Sequence, residues 1–349
     1  MSALQAAYRV EARRGDAGIV EAVHHVTVVA WDAGLEAKAN RGGAPETLVS
    51  LGARRTFFRS GCKPFQLLPL VERGHAEQLG LGDRELAVAS ASHNGAPEHL
   101  EAVRAILQAA GVGEEALLCG AHPPRDDASL GAYAVRPSPI YNNCSGKHAA
   151  MLALAVCESW PIAGYVDAEH PVQRALIEAV GNVCGVRSGE MPVAVDGCSA
   201  ANPALSLAAV ARGFHRFATA SPGSTSVRER SLARIRGAMA AEPVQVAGRG
   251  RLCTDVLLAT AGAIVTKTGA EGLQCAAVLA PGVGVALKVE DGSDRAKGPA
   301  LLAFLRENRW IGGEALAALE HWAHPKLTNV RGISVGRLEW RAEPVASPA

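Results

Sequence analysis

The chain has 349 residues, of which 48% are hydrophobic and 20% charged, a balance that excludes a disordered or fibrous protein. Lys and Arg (35) nearly cancel Asp and Glu (34), which leaves a formal charge of +1. Because no basic run is interleaved with aromatic residues, we expect no nucleic-acid partner. The longest apolar stretch, residues 256–265, is about half of a membrane span, so we expect no membrane association.

The N-terminal segment and the cysteines predict a cytoplasmic protein. Arg9 and Glu11 interrupt the first residues before an apolar core of signal-peptide length can form. The eight cysteines are scattered along the chain, without the close spacing of a disulfide-stapled secreted domain. A reducing compartment suits such cysteines, and it leaves some of them available to bind metal.

In chain order, the sequence predicts strands, then a helical middle, then strands again. Residues 8–13 and 20–30 have β-type character. Helical patterns follow at residues 60–70, 98–110, 148–158, 171–183, 203–212, 226–240 and 297–307. Short segments at 263–267, 273–279 and 283–289 have hairpin spacing and should be antiparallel. We therefore predict an α+β fold with a mostly antiparallel sheet built from both termini, acting as one catalytic domain over residues 1–349.

Three short motifs point to serine–lysine acyl transfer. Ser60 and Lys63 form a Ser-x-x-Lys at a predicted helix start, where a lysine of lowered pKa could remove the serine proton. Ser92-His93-Asn94 follows, and Lys267-Thr268-Gly269 ends a predicted strand. Alone, these motifs are typical of a surface helix, a cap and a hairpin end. Their order, however, is that of the serine β-lactamases and penicillin-binding proteins.

Two polar loops each place a thiol beside other possible metal ligands. Cys144 lies close to Lys147 and His148, and Cys198 follows Asp196 about fifty residues later. Thiolates favour zinc over harder ions, and a tetrahedral site needs four donors. The spacing alone equally fits buried structural cysteines, since no Cys-x-x-Cys is present.

With these residues in view, the chain resembles the Rhizobium-type L-asparaginase II family over nearly its whole length. The resemblance is carried by residues 59–66 (RSGCKPFQ), 91–95 (ASHNG), 142–149 (NNCSGKHA), 170–173 (HPVQ), 196–198 (DGC) and 267–272 (KTGAEG). It implies a fold like that of serine β-lactamases and serine glutaminases, a homodimer, and hydrolysis of L-asparagine to L-aspartate and ammonia.

The resemblance also implies roles for individual residues. The catalytic pairs would be Ser60 with Lys63 and Ser92 with Lys267. A zinc ion would be held by Cys144, Lys147 and Cys198, with water as the fourth ligand. We assign His93, Asn94 and Asp196 to substrate binding, and we favour Ser60 as nucleophile because N–H groups point outward at a helix start.

Two alternative functions fit parts of the sequence. A glutaminase or a β-lactam-hydrolysing serine enzyme would use the same three serine–lysine motifs. A non-catalytic zinc-binding protein on an inactivated hydrolase scaffold would need only the thiol loops. The presence of both lysines favours an enzyme over this last alternative.

Overall fold

The computed structural model describes residues 4–40, 53–124 and 136–344. Its strands are β1 (Gln5–Arg14), β2 (Ile19–Trp31), β3 (Arg55–Phe57), β4 (Val193–Val195), β5 (Ala201–Ser206), β6 (Ile264–Thr268), β7 (Leu273–Val278), β8 (Val283–Val289), β9 (Lys326–Thr328) and β10 (Ser334–Glu343). Its helices are α1 (Ala33–Asn40), α2 (Lys63–Gln66), α3 (Leu68–Glu72), α4 (His75–Gln78), α5 (Asp83–Ala89), α6 (Pro97–Ala109), α7 (Ser145–Cys157), α8 (Pro171–Cys184), α9 (Leu207–Thr219), α10 (Val227–Ala241), α11 (Pro243–Ala247), α12 (Leu252–Ala259), α13 (Lys297–Glu307), α14 (Gly313–Ala318) and α15 (Glu320–Ala323).

These elements form two compact units, which we describe separately. The first comprises residues 1–56, 205–219 and 255–349, and the second comprises residues 57–204 and 220–254. The prediction that the whole chain acts as one catalytic domain stays a prediction.

The first unit is built on an antiparallel sheet in the order β6-β7-β8-β2-β1-β10-β9. The N-terminal β1 pairs with the C-terminal β10, with Tyr8 opposite Ala342. Helix α9 packs against β8, and Gly284 allows the approach, because a Cβ there would lie 2.0 Å from the Ala211 carbonyl oxygen. The α+β class and the antiparallel sheet built from both termini are confirmed.

The second unit is mainly helical and centres on α7. Every residue of α7 from Ser145 to Ala155 is buried, and the helix packs against α5 and α6. Gly146 makes the close approach to α5 possible, since a Cβ there would lie 2.2 Å from the Val88 carbonyl oxygen. The short strands β4 and β5 form a hairpin whose turn carries Asp196 and Cys198. The two thiol-bearing loops therefore lie at the start of α7 and in the turn of this hairpin.

The structure corrects two of the predicted helices. The helix predicted at 203–212 begins later, because residues 201–206 form β5 and pair with β4 before α9 starts at Leu207. Pro203 suits this strand because its carbonyl oxygen accepts a hydrogen bond from the backbone N–H of Phe58. The helix predicted at 60–70 is divided into a 3-10 helix, Arg59–Cys62, and the short helices α2 and α3.

Candidate active site

Lys63 is the most completely enclosed cation of the second unit's candidate site. It is 1% exposed, and its Nζ donates hydrogen bonds to the carbonyl oxygens of Ala91 and Asn143 and to Ser92 Oγ, the last at 3.2 Å. The two carbonyl oxygens can only accept hydrogen bonds, whereas the hydroxyl can also donate. Ser92 Oγ is therefore the one of these three partners that could exchange a proton with Lys63 Nζ.

Ser60 lies in the 3-10 helix that precedes Lys63, in a half-buried position. Within the described residues, no hydrogen bond joins the Ser60 side chain to Lys63. Ser60 follows Arg59, whose φ of 48° lies in the left-handed region that non-glycine residues rarely adopt. Such a conformation costs on the order of 1–3 kcal/mol, so surrounding contacts must hold it in place.

Those contacts come from the β4–β5 hairpin. The backbone N–H of Arg59 donates to Asn202 Oδ1 at 2.9 Å, and its side-chain Nε lies 2.7 Å from Asp196 Oδ1. Asp196 Oδ2 in turn accepts a hydrogen bond from the Cys198 thiol at 3.3 Å. Asp196 therefore connects the turn that carries Ser60 with the thiol-bearing loop.

The three candidate zinc ligands lie together in the structure. Cys144 and Lys147 are at the start of α7, and Cys198 is in the turn between β4 and β5. Lys147 Nζ donates to Cys198 Sγ at 2.9 Å, and the Cys198 thiol also contacts Cys144. Asn142 shapes the loop before α7, because its Oδ1 accepts from the Cys144 backbone N–H at 2.9 Å. All three candidate ligands are buried.

Electrostatics within this group favour one thiolate. The hydrogen bond with Cys198 and the charges of Lys63 and Lys147 lower the pKa of the Cys144 thiol, against the opposite effect of burial. The same hydrogen bond, together with burial, raises the pKa of Cys198. Burial would lower the pKa of Lys147, but the charges of the two sulfur atoms and Asp196 raise it. These directions favour a thiolate at Cys144, a thiol at Cys198 and an ammonium at Lys147.

In the Ser92-His93-Asn94 segment, His93 is enclosed by the protein and Asn94 is hydrogen-bonded to an arginine. His93 is completely buried; its Nδ1 accepts from the Gly95 N–H at 3.1 Å and its Nε2 lies 3.0 Å from Ser145 Oγ. Burial, then the nearby His99 and Lys63, lower the pKa of His93, so the ring is neutral. Asn94 Oδ1 accepts a hydrogen bond from Arg251 Nη1 at 2.6 Å.

A family model described as L-asparaginase II matches residues 10–340 of this chain. The chain belongs to the L-asparaginase II family. It is therefore an amidohydrolase of the asparaginase type that acts on a small-molecule substrate. No curated protein matches the sequence. None of the described helices is long and apolar enough to cross a membrane.

In this L-asparaginase II family member, the cluster of Cys144, Lys147 and Cys198 contains atoms that could bind zinc. Two soft sulfur atoms and one nitrogen lie in contact, which is a donor set that zinc accepts. In the part of the chain that the structure describes, no group of three or more His, Cys, Asp and Glu side chains could hold a metal ion. His148, which the sequence left open as a ligand, instead places its Nδ1 2.7 Å from Tyr165 Oη.

Lys267 belongs to the first unit, where it is completely buried in β6. Its Nζ donates to the Thr268 carbonyl oxygen at 2.9 Å. Lys297 of α13 supports the same motif, since its Nζ lies 3.3 Å from the Gly269 carbonyl oxygen and also contacts Thr268 Oγ1. Lys297 was not anticipated from the sequence, because it is distant along the chain and belongs to no recognised motif.

Two arginines of this L-asparaginase II family member were also absent from the predicted site. Arg59 precedes Ser60 inside one of the motifs that carry the resemblance. Its position next to a candidate nucleophile could have indicated that it belongs to the site. Arg251 lies in a Gly-Arg-Gly-Arg segment, residues 248–251, and its contact with Asn94 depends on tertiary packing. Sequence spacing gives no indication of that contact.

Proposed function

We propose that this protein is an L-asparaginase that hydrolyses L-asparagine to L-aspartate and ammonia through a serine–lysine acyl-enzyme. The observation that carries the proposal is the contact of the buried Lys63 amine with the Ser92 hydroxyl, in a chain of the L-asparaginase II family. An amine in contact with a serine hydroxyl can act as the adjacent base that activates a nucleophile.

In the proposed first step, Ser60 Oγ attacks the side-chain amide carbon of asparagine, and its proton passes to Lys63 Nζ through the Ser92 hydroxyl that contacts this amine. The tetrahedral intermediate then breaks its C–N bond, and the proton returns from Lys63 to the leaving nitrogen, which departs as ammonia. Water then attacks the aspartyl ester, Lys63 again takes a proton, and Ser60 recovers it as L-aspartate leaves. Backbone N–H groups at the start of a helical turn would stabilise the oxyanion.

We assign the nucleophile to Ser60 because a reacting hydroxyl must reach a dissolved substrate. Ser60 is half-buried, whereas Ser92 is 6% exposed and rests against Lys63. Ser92 and Lys267 are proposed to assist proton transfer; the role of Lys267 rests on the Lys-Thr-Gly motif. Asn94 and Asp196 are proposed to position the substrate, Asp196 through its ion pair with Arg59. In place of the substrate-binding role expected from the sequence, the completely buried His93 is proposed to support the start of α7 through Ser145.

A zinc ion is proposed at Cys144, Lys147 and Cys198, with water in the fourth position. Zinc acts as a Lewis acid on oxygen atoms that reach it. Here the three protein ligands would hold it beside the Asp196–Arg59 pair, and we propose that it orients the substrate. Ligation requires loss of the protons on Cys198 and Lys147, because each donor atom must be deprotonated.

Two further properties are proposed from the family resemblance. The protein is proposed to be a homodimer, which sedimentation equilibrium would test. It is proposed to work in the cytoplasm, where a reducing environment suits its eight free cysteines.

The test of the mechanism is to quench the enzyme with acid during turnover of L-asparagine and to locate the aspartyl ester by peptide mass spectrometry. The proposal expects the ester on Ser60, and its loss in Ser60→Ala. Ser90→Ala is the matched control, since the Ser90 hydroxyl is buried without a hydrogen-bond partner among the described residues. An ester on Ser92 would overturn the assignment of the nucleophile.

A further inference from the structure

Arg251 is held beside the Ser92-His93-Asn94 segment by a short hydrogen bond. Its Nη1 donates to Asn94 Oδ1 at 2.6 Å. Asn94 is two residues from Ser92, so their Cα atoms are at most about 7 Å apart. Arg251 therefore contacts the chain two residues beyond Ser92, the residue whose hydroxyl meets the buried Lys63, within the same unit.

The segment that carries Arg251 is fixed by two backbone features. The Ser92 N–H donates to the Val246 carbonyl oxygen at 3.0 Å, which joins the two segments before they reach Asn94 and Arg251. Gly248 has a φ of 107°, and a Cβ there would lie 2.6 Å from Asn94 Nδ2. Glycine at this position therefore allows the backbone of residues 246–251 to pack directly against the Asn94 amide.

The other cations near the candidate nucleophiles already have partners. Lys63 is enclosed by three oxygen acceptors, and Lys147 is bound to the Cys198 sulfur. Arg59 forms an ion pair with Asp196. Arg251, by contrast, has no carboxylate partner in the described parts of the chain and is partly exposed. Among the described residues, only Asn94 accepts from its side chain, through one of five N–H donors, so the other donors of the fork are proposed to meet a ligand.

We infer that Arg251 binds the α-carboxylate of the substrate, and so selects free amino-acid amides over amides whose α-carboxyl group is blocked. This inference rests on the proposed L-asparaginase function. A planar guanidinium matches a carboxylate with two parallel hydrogen bonds, and Asn94 holds the plane in one orientation. A substrate such as L-asparaginamide, in which the α-carboxylate is replaced by an amide, cannot form this pair.

The test compares kcat/KM for L-asparagine and L-asparaginamide in the wild type and in Arg251→Met. On L-asparagine, Arg251→Met should lose about 10-fold to about 100-fold, mainly through a higher KM, because a charge-assisted pair is removed. On L-asparaginamide, the variant and the wild type should be nearly equal. Arg251→Lys should recover part of the loss. The exposed neighbour Arg249 supplies the control, and Arg249→Met should behave as wild type.

Equal losses on the two substrates, or no loss on L-asparagine, would overturn the inference while wild-type turnover left the proposed function standing. Wild-type protein that released no ammonia from L-asparagine would overturn both. Calorimetric binding of L-aspartate gives a readout independent of turnover, with weaker binding expected in Arg251→Met and unchanged binding in Arg249→Met. If Arg251→Met failed to fold, the same comparisons with Arg251→Lys would decide the matter.

Discussion

Gly248 determines how closely residues 246–251 approach Asn94. In Gly248→Ala, the new Cβ would lie 2.6 Å from Asn94 Nδ2, at a φ of 107° that alanine rarely adopts. Stability should fall by about 1–3 kcal/mol. Because Asn94 must also move, kcat/KM for L-asparagine should fall by about 10-fold to about 100-fold.

Gly250 is the matched control for this prediction. It also has a positive φ, 67°, but a Cβ there would meet nothing within 4 Å. Gly250→Ala should therefore lose about 1 kcal/mol of stability and keep its activity. Urea unfolding and steady-state kinetics on both variants make the comparison. Full activity in Gly248→Ala would show that the position of Asn94 does not matter for the reaction.

The cluster of Cys144, Lys147 and Cys198 leads to a second prediction, which is tested by measuring the metal content of the protein. Purified wild-type protein should contain stoichiometric zinc by elemental analysis, and Cys198→Ala should lose it because one soft donor is gone. Cys157→Ser, which alters a half-buried cysteine of α7 away from the group, should retain it. Removing zinc by chelation should raise KM for L-asparagine more than it lowers kcat. Zinc retained fully in Cys198→Ala would rule out this ligand set.

Among single residues, the sequence motifs identified most of the candidate site but not its internal contacts. Lys63 and Ser92 were predicted in separate pairs, and the structure places them in contact with each other. That contact depends on how α2 packs beside the segment before α6, which no local spacing encodes. The left-handed backbone at Arg59 depends likewise on Asn202, more than a hundred residues away.

Among the elements, periodicity predicted the long helices well. Helix α13 has the bounds that the pattern predicts, and α7, α8 and α10 differ by a few residues at their ends. Periodicity failed where the element was short. The segment 201–206 fits a strand or a helix start equally well, and its pairing with β4 decides for the strand.

Helix packing gives a prediction that contrasts two helical glycines. In Gly146→Ala, the added Cβ would lie 2.2 Å from the Val88 carbonyl oxygen, so α7 and α5 must separate. We expect a loss of about 2 kcal/mol or more in the free energy of unfolding. Gly237 in α10 is exposed, and a Cβ added there would meet nothing within 4 Å, so Gly237→Ala should gain up to about 1 kcal/mol.

Urea unfolding of the two variants tests this contrast. The same substitution in two helices of one unit should move the unfolding midpoint in opposite directions. A stability for Gly146→Ala equal to that of the wild type would contradict the close contact of α7 with α5. Helix α7 carries Lys147, so the loss in Gly146→Ala should be accompanied by a lower zinc content.

At the scale of the whole chain, the sequence predicted that both termini build one sheet, and this is confirmed. It could not predict the strand order. Ala7 lies opposite Glu343, and β2 lies beside β8, pairings between residues hundreds of positions apart. Such registers depend on the burial of complete faces rather than on local propensity.

Acid sensitivity should arise partly in the first unit, at Glu36. Burial would raise its pKa, but hydrogen bonds from Arg212 and Arg216 outweigh burial and lower the pKa to about 2. Since the pKa is 4.5 for a free glutamate, the stabilisation is complete above about pH 4.5 and is lost as the pH falls towards about 2. Glu36→Gln should therefore destabilise the protein at neutral pH and flatten its loss of stability in acid.

Glu21→Gln provides the control for the acid prediction. Glu21 pairs with Arg14 on the surface, where both side chains are about half exposed, so its removal should change stability little. The free energy of unfolding in urea, measured from about pH 7 to about pH 3, compares the three proteins. Parallel pH curves for the wild type and Glu36→Gln would contradict the predicted pKa.

The most direct test of the proposed function is ammonia release by the purified protein from L-asparagine and L-glutamine, measured beside Ser60→Ala and Ser90→Ala. We predict release from L-asparagine in preference to L-glutamine, abolished in Ser60→Ala and retained in Ser90→Ala. A preference for L-glutamine would identify a glutaminase instead. Release from neither amide by zinc-replete wild-type protein would contradict the proposed function.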